Sequence, residues 1–549
     1  MELNILIGGR AGQGVLKISH TLAKAFIKTG YYVFNYRDYQ SRIRGGHNYN
    51  ALKISDKPVY SHEEEDIDFI IALDQNTVDI HQYKLNSRGY IITDRRIKAN
   101  RKIEVDAEKI LNECKAPHLS INVVLISVLW KVLGLNKNVL REVIFKELGE
   151  LNAKVVDRTF DELQSPVEEI RDKKAYNKKY YLTGSEGIAY GATAAGLDIY
   201  IAYPMTPASP VLHILAKLKD KYGILVYQPD NEIGAINMAI GASYAGAKVM
   251  VGTSGGGFAL MNEALSLSGM SEIPIVIYLA QRYAPATGMP TYTMQGDLKY
   301  SLNAGHGEFP RVVIAPGDPS EAFRRTIEAF YLAYKYRIPT IILSDTYLAE
   351  SAVTFNEIKN TNVKPGRYID LTPGEGLYPY YKITVEGVSP RTIPGVNNTV
   401  VKANSYEHDE YGFTTENPDM GLTMNEKRWE KIKYIEEEIR GLDPYELLGA
   451  GKKLLVGWGS TKMPAMEALK HLEDWTYLHI SYISPFPRAL KDIFESYETI
   501  VLIENNVTGL LGQVIREQTG VDIENKILKY DGRPFTSRYI IKRLEEFNS

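Results

Sequence analysis

Between residues 198 and 282 the chain passes four times from a short apolar segment into a loop of proline, glycine or charged residues. The segments span 200–202, 225–227, 249–251 and 275–279; the loops carry Pro204 and Thr206, then Asp230, Asn231 and Glu232, then Gly255, Gly256 and Gly257, then Gln281 and Arg282. Helix-forming stretches separate them. Strand and helix alternating in this way predict an α/β domain with a mostly parallel sheet, whose ligands sit beyond the C-terminal ends of the strands. Thr206, Glu232, Gly255, Gly256, Gly257 and Arg282 are therefore expected around one crevice.

Each loop suggests its own chemistry. Pro204 and Pro207 stiffen the exit from the first strand, so a hydroxyl at Thr206 can meet a ligand without first being ordered; alternatively it caps the helix beginning near Ala208. Glu232 starts a helix of small apolar residues, where a carboxyl against apolar walls can share a proton with a ligand nitrogen; the plainer reading is a first-turn glutamate favoured by the helix dipole. Arg282, at a strand end, can grip a substrate carboxylate bidentately or stand as an exposed charge. Gly255, Gly256 and Gly257 allow close backbone approach before a helix expected from Phe258.

A chain of 549 residues exceeds one core and is expected to split into several domains. Its 64 basic and 67 acidic residues nearly cancel, so nothing global points to nucleic acid. The single cysteine, Cys114, excludes an intrachain disulfide and an iron–sulfur cluster held by this chain alone, which needs about four thiolates. The first residues, MELNILIGG, read as a strand rather than a cleavable leader. The longest apolar helix candidate, residues 122–135, is interrupted by Lys131 and too short to span a bilayer. A cytoplasmic location without membrane contact is the expectation.

Residues 1–175 read as one α/β unit with a mostly parallel sheet. A strand at 4–7, a glycine-rich turn at 8–14 (GGRAGQG) and a helix at 15–28 are followed by strands at 32–35, 69–73 and 90–93. The turn is no dinucleotide fingerprint, because Ala11 stands where the second glycine belongs, which argues against a stand-alone nucleotide-dependent dehydrogenase. Arg37, Arg42 and Arg44 beside Gly45 and Gly46 suit a phosphate or a partner's carboxylates, or form a solvated basic loop. A polar stretch at 170–179 marks a linker, and 180–352 form the domain described first. Residues 353–450, dense in proline, glycine and tyrosine, read as an irregular connecting segment or an arm that wraps a partner. His408 sits there among carboxylates but without metal-ligand spacing, and no metal site is expected. Residues 451–549 return to α/β as a small packing domain.

Taken together, AYPMTP with Thr206, NEIGA with Glu232, TSGGG, QR followed by PATGMPT, QGDL, SPRTIPG, EHDEYG and KYDGRPFT resemble the alpha subunit of 2-oxoacid:ferredoxin oxidoreductases, and GGRAGQG with RGGH resembles that family's gamma domain fused ahead of it. The resemblance covers essentially the whole chain. It implies a Rossmann-like gamma domain (1–175), a pyrimidine-type thiamine diphosphate domain (180–352), the connecting segment (353–450) and a transketolase C-terminal-like domain (451–549). It implies oxidative decarboxylation of a 2-oxoacid, such as pyruvate or 2-oxoglutarate, to an acyl-CoA, with electrons passed to ferredoxin.

By the same resemblance Glu232 bonds the cofactor's ring nitrogen, where a shared proton favours the imino form of the ring. Thr206 and Arg282 hold the substrate carboxylate, Gly255 and Gly256 lie against the cofactor, and Arg42 and Arg44 meet coenzyme A. Met205, Ala208, Tyr283 and Ala286 depart from the usual family pattern and leave the particular 2-oxoacid open. No GDG run for Mg²⁺ and diphosphate and no cluster cysteines are present, so the resemblance implies a beta subunit carrying Mg²⁺ and [4Fe-4S], in a dimer of alpha–beta heterodimers, with this chain inactive alone. A non-catalytic scaffold or regulatory subunit is the alternative.

Overall fold

The first strand, Glu2–Arg10, runs through Gly8 and Gly9 instead of turning at them. A Cβ at Gly8 would lie 2.5 Å from Thr77 Cγ2, so glycine serves close packing there. The turn proper comes at Gly12 and Gly14, both with positive φ, and the expected helix Val15–Lys28 follows. The computed structural model describes residues 2–41, 46–163 and 179–547. Arg42, Arg44 and most of the expected linker lie outside the described residues.

Two compact units emerge, one of Met1–Leu182, Glu350–Ile358 and Thr536–Ser549, the other of Thr183–Ala349 and Lys359–Phe535. The boundaries expected from the sequence, at 175, 352 and 450, are drawn differently here. The strand Ala352–Phe355 returns to pair with Tyr32–Tyr39 of the first unit, and the last helix, Ser537–Glu545, belongs to the same unit.

The first unit's eight-stranded sheet runs Lys102–Val105, Leu85–Asp94, Ile67–Ala72, Glu2–Arg10, His47–Ser55, Tyr32–Tyr39, Ala352–Phe355, Tyr180–Thr183. It is mixed rather than mostly parallel. His47–Ser55, unforeseen because polar His47, Asn48, Asn50 and Lys53 break its apolar pattern, is antiparallel to both Glu2–Arg10 and Tyr32–Tyr39. Arg37 is tied into this unit: it donates to Glu350 at 3.1 Å and lies 3.7 Å over the Tyr39 ring. The apolar helix Ile121–Val132 is buried on all sides in this unit's core. Among the described residues no helix is long and apolar enough to cross a membrane.

The second unit holds a seven-stranded sheet ordered Tyr482–Ser484, Val312–Ile314, Pro339–Asp345, Ile275–Gln281, Val249–Thr253, Ile199–Ile201, Leu225–Tyr227. All neighbours are parallel except Tyr482–Ser484 at the edge, as the alternation predicts. A five-stranded sheet, ordered Tyr445–Gly449, Trp475–Ile480, Lys453–Trp458, Thr499–Glu504, Asn525–Leu528, shares one hydrophobic core with it through Trp458, Leu478, Val313 and Leu343.

From Lys359 on, residues 353–450 belong to the second unit. Their helix Pro418–Arg440 is locked to the unit by Lys427 Nζ (2.6 Å) and Lys431 Nζ (2.5 Å), both on the Glu272 carboxylate, and all three side chains are buried. Burial alone would raise the Glu272 pKa, but Lys427 and Lys431 hold it well below the usual carboxylate range. A depressed carboxylate contributes stability above its unfolded value, about 4.3, and loses it only as pH falls through the folded value. Glu272→Gln is expected to lower the unfolding free energy of this unit by about 3 kcal/mol near neutral pH, read as a shift in the denaturant midpoint. An unchanged midpoint would remove the lock.

Candidate functional site

The four loops that follow Ile199–Ile201, Leu225–Tyr227, Val249–Thr253 and Ile275–Gln281 open at the C-terminal edge of the seven-stranded parallel sheet. Asn231 caps the helix Glu232–Tyr244, its side chain accepting from Gly234 N–H at 2.8 Å, which fixes Glu232 at the first helical position. The helix buries Glu232 to 3% exposure. Its Oε1 and Ser254 Oγ, both buried, find no hydrogen-bond partner among the described residues. A buried polar atom left without a partner costs stability and calls for an explanation.

The glycine loop lies against this carboxylate. Its helix starts at Gly255, not Phe258, with Ser254 at the N-cap, and none of its glycines has a positive φ. They serve space instead. A Cβ on Gly257 would collide with Thr253 Oγ1 and stand 2.5 Å from Glu232 Oε1, and one on Gly255 would collide with the Asp297 carboxylate. Gly256 is exposed, with open space where its Cβ would be. Gly257, expected at the crevice but not among the cofactor contacts, is thus the glycine that lies against Glu232. Gly257→Ala is expected to displace the Glu232 carboxylate and cut turnover of the assembled complex about 10²-fold, measured with fold and assembly checked by circular dichroism and gel filtration. Full activity in that variant would show the tight packing to be dispensable.

Thr206 does not cap the following helix. Ser209–Tyr222 starts after an N-cap at Ala208 with no side-chain hydrogen bond. The Thr206 carbonyl accepts from Arg282 Nη1 at 3.0 Å, so the ends of the Ile199–Ile201 and Ile275–Gln281 strands are joined through these two residues. Arg282 is half-buried, and burial lowers its pKa against the opposing pull of Asp297. One of its five N–H donors is used at Thr206, and the planar fork suits a carboxylate.

The following loop is folded on itself, with Tyr283 N–H on Tyr292 O at 2.9 Å and Met289 N–H on Tyr283 O at 3.3 Å. Tyr283 and Ala286 both sit on this loop, and Ala286 has a positive φ of 53°. The KYDGRPFT motif covers it: Thr293 N–H donates to Gly532 O at 3.2 Å, and the Arg533 guanidinium lies 3.8 Å over the Tyr292 ring.

Sequence reasoning missed what holds the QGDL loop. Gln281 Oε1 accepts from Asp297 N–H at 2.9 Å, while Gln281 Nε2 donates to Ser344 O at 3.1 Å. Gln295 pairs reciprocally with Asn505, N–H to O at 2.7 Å and Asn505 N–H to Oε1 at 2.9 Å, and receives Asn506 Nδ2 at 3.1 Å. The ENN stretch of the C-terminal sheet is therefore a clamp on the site loop. Asp297, within QGDL, gives no local sign of a role in the sequence. SPRTIPG and EHDEYG act elsewhere. Arg391 donates to Ser243 O near the far end of the Glu232–Tyr244 helix, and Glu407 pairs with Arg428 at 2.6 Å. His408 packs on Tyr381 with ring centroids 3.7 Å apart. Among the described residues no group of three or more His, Cys, Asp or Glu could hold a metal.

A buried carboxyl oxygen without a partner, cradled by glycine, fits a ligand nitrogen that shares a proton with it, and Arg282 with Thr206 fits an anionic substrate. Two family models match this chain: residues 190–426 match pyruvate flavodoxin/ferredoxin oxidoreductase, thiamine diphosphate-binding, and residues 4–162 match pyruvate ferredoxin/flavodoxin oxidoreductase. The chain is 32% identical over 610 residues to the 2-oxoacid:ferredoxin oxidoreductase subunit alpha of a Sulfolobus species, covering 97% of this chain and 95% of that one. It is 32% identical over 367 residues to the 2-oxoglutarate oxidoreductase subunit KorA of Mycobacterium tuberculosis, covering 64% and 55%. Among solved structures, a 2-oxoglutarate:ferredoxin oxidoreductase from Magnetococcus marinus, with 2-oxoglutarate, coenzyme A and succinyl-CoA bound, superposes with a TM-score of 0.88 at 27% identity over 99% of each chain. With the strand-end site and relatives spanning nearly its whole length, the chain belongs to the 2-oxoacid:ferredoxin oxidoreductases, as an alpha subunit of that family of oxidoreductases.

Proposed function

We propose that this chain supplies the aminopyrimidine-binding and substrate-binding half of the active site, with Glu232 holding the ring nitrogen of thiamine diphosphate and Arg282 with Thr206 holding the 2-oxoacid carboxylate. The observation that carries this reading is the buried, unpartnered Glu232 Oε1 at the glycine helix. When bound there, thiamine diphosphate would supply the nucleophile and the electron sink that decarboxylation of a 2-oxoacid requires. On this reading Glu232, buried to 3% exposure, shares a proton with the ring nitrogen at Oε1. Arg282 orients the carboxylate, and the clamp of Gln295 by Asn505 and Asn506 keeps the loop after it in place. Gly255 and Gly256 line the cofactor's approach on this reading, with Gly257 added to them.

The overall reaction is 2-oxoacid, coenzyme A and two oxidised ferredoxins giving acyl-CoA, carbon dioxide, two reduced ferredoxins and a proton. Mg²⁺, the diphosphate site and a [4Fe-4S] cluster fall to a beta subunit, since the single cysteine here cannot hold a cluster. We place Arg42 and Arg44 at coenzyme A, the gamma domain at 1–175, and the assembly in the cytoplasm as a dimer of alpha–beta heterodimers. A scaffold role would leave the unpartnered Glu232 oxygen without a purpose.

The test is reconstitution with the beta subunit and assay of viologen reduction with 2-oxoglutarate or pyruvate. Reduction is expected to require 2-oxoacid, coenzyme A and both subunits. Turnover by this chain alone, or by the complex only with a nicotinamide nucleotide, would overturn the proposal.

A further inference from the structure

Glu504 takes no part in the chemistry proposed for Glu232 and Arg282, yet it is fully buried at the end of the strand Thr499–Glu504. Its Oε1 gathers neutral donors: Trp458 Nε1 at 2.8 Å, Asn506 Nδ2 at 2.9 Å and Leu511 N–H at 2.9 Å, the last also 3.0 Å from Oε2. A carboxylate buried among neutral donors is costly to keep. Two of those donor residues, Trp458 and Asn506, are the ones that also hold Gln295.

Gln295 is itself fully buried, and every one of its polar groups is engaged by the C-terminal sheet. Its Nε2 donates to Trp458 O at 2.9 Å, its carbonyl accepts from Asn506 Nδ2 at 3.1 Å, and its N–H and Oε1 pair with the Asn505 backbone at 2.7 and 2.9 Å. Two residues on, Asp297 N–H donates to Gln281 Oε1 at 2.9 Å, and Gln281 Nε2 donates to Ser344 O at 3.1 Å. Gln281 is fully buried and directly precedes Arg282. A continuous path therefore runs from Glu504 through Trp458 and Asn506 to Gln295, Asp297 and Gln281, and ends at the guanidinium-bearing residue.

We infer that Glu504 is a positioning residue for the 2-oxoacid: by holding Trp458 and Asn506 on Gln295 it fixes the loop that carries Asp297, and through Gln281 it sets the orientation in which Arg282 meets the substrate carboxylate. This rests on the reading of Arg282 as the carboxylate site. Among the described residues the Arg282 side chain makes one hydrogen bond, Nη1 to the Thr206 carbonyl at 3.0 Å, and a planar fork held at one point still turns about it. Bidentate contact needs the plane fixed as well, so the backbone that carries the fork has to be held from the other side.

The carboxylate matters because it accepts and never donates. An amide at position 504 keeps the size, but whichever way it turns, its NH₂ faces a donor, Leu511 N–H on one side or Trp458 and Asn506 on the other. The misfit passes to Gln295, because the Asn506 Nδ2 that bonds Glu504 is the same group that bonds the Gln295 carbonyl. No hydrogen bond joins Glu504 to Thr206, Glu232 or Arg282 among the described residues, so its contribution to substrate affinity comes through this relay.

The test compares wild type, Glu504→Gln, Arg282→Lys and the double variant as assembled holo-complexes. It measures kcat and KM for the 2-oxoacid, and the Kd of N-oxalylglycine, an unreactive 2-oxoacid isostere. Glu504→Gln is expected to lower kcat/KM for the 2-oxoacid about 10²-fold, with at least about tenfold of it in KM and in Kd, and to leave the KM for coenzyme A unchanged. In the Arg282→Lys background the same substitution is expected to cost less than about threefold, because the fork it positions is already gone. An equal loss in both backgrounds, or a loss confined to kcat or to the denaturant midpoint, would make Glu504 a packing residue and overturn the inference while the carboxylate site stands. Unaltered KM and Kd in Arg282→Lys would overturn the carboxylate site and this inference with it. Gln295→Met keeps the side-chain length, gives up the bonds to Trp458 and Asn505 and leaves Glu504 in place; it is expected to show the same rise in KM. A wild-type KM there would overturn the inference whatever Glu504→Gln does.

Discussion

Glu232→Gln in the assembled complex is expected to lower 2-oxoacid-dependent viologen reduction by at least about 10³-fold, the upper range of what a positioned proton-transfer group contributes. The amide keeps the size and the burial of the carboxyl and removes its capacity to share a proton at Oε1. Because Asn231 caps the helix independently through Gly234 N–H, the helix start and assembly are expected to survive, which gel filtration checks. A structural glutamate would behave in the opposite way, with stability shifted and turnover near wild type. Turnover within tenfold of wild type would therefore end the assignment of Glu232 to the cofactor.

Arg282→Ala is the second large effect. Charge-assisted hydrogen bonds contribute about 1.5–3 kcal/mol each, so losing a bidentate grip is expected to reduce kcat/KM for the 2-oxoacid about 10³-fold. The KM for coenzyme A should stay unchanged. Removing the guanidinium also frees the Thr206 carbonyl and relaxes the tie between two strand ends, so part of the loss is expected in kcat as well as KM. Arg282→Lys separates the two contributions: it keeps the charge and loses the fork, and should recover part of the activity. Kinetics unchanged in the alanine variant would leave Arg282 a strand-end charge.

The half of the site that the sequence displays is the half built from parallel strands. There Thr206, Glu232 and Arg282 each follow an apolar segment directly, and a parallel sheet brings successive strand ends to one edge whatever the helices between them do. Even so, local reading left Thr206 balanced between cap and ligand. Only the helix start, with Ala208 at the N-cap and no side-chain cap bond, decides against the cap.

What stayed hidden depends on partners far along the chain. Gln295 and Asn505 are 210 residues apart, and Ala352–Phe355 pairs with a strand more than three hundred residues earlier. His47–Ser55 lacks a clean apolar alternation because its neighbours on both sides are strands of an otherwise hydrogen-bonded interior, where Asn50 reaches Asn35 at 2.8 Å. Asp297 carried no local sign at all. Its place is set by Gly255 and Gln281, which meet it only in the folded unit.

The most direct measurement is a structure of the assembled complex with thiamine diphosphate and N-oxalylglycine bound. The account expects the cofactor's ring nitrogen bonded to Glu232 Oε1 and the ligand carboxylate bonded to the Arg282 guanidinium. A ring nitrogen partnered by any other side chain, or a carboxylate held away from Arg282, would contradict it.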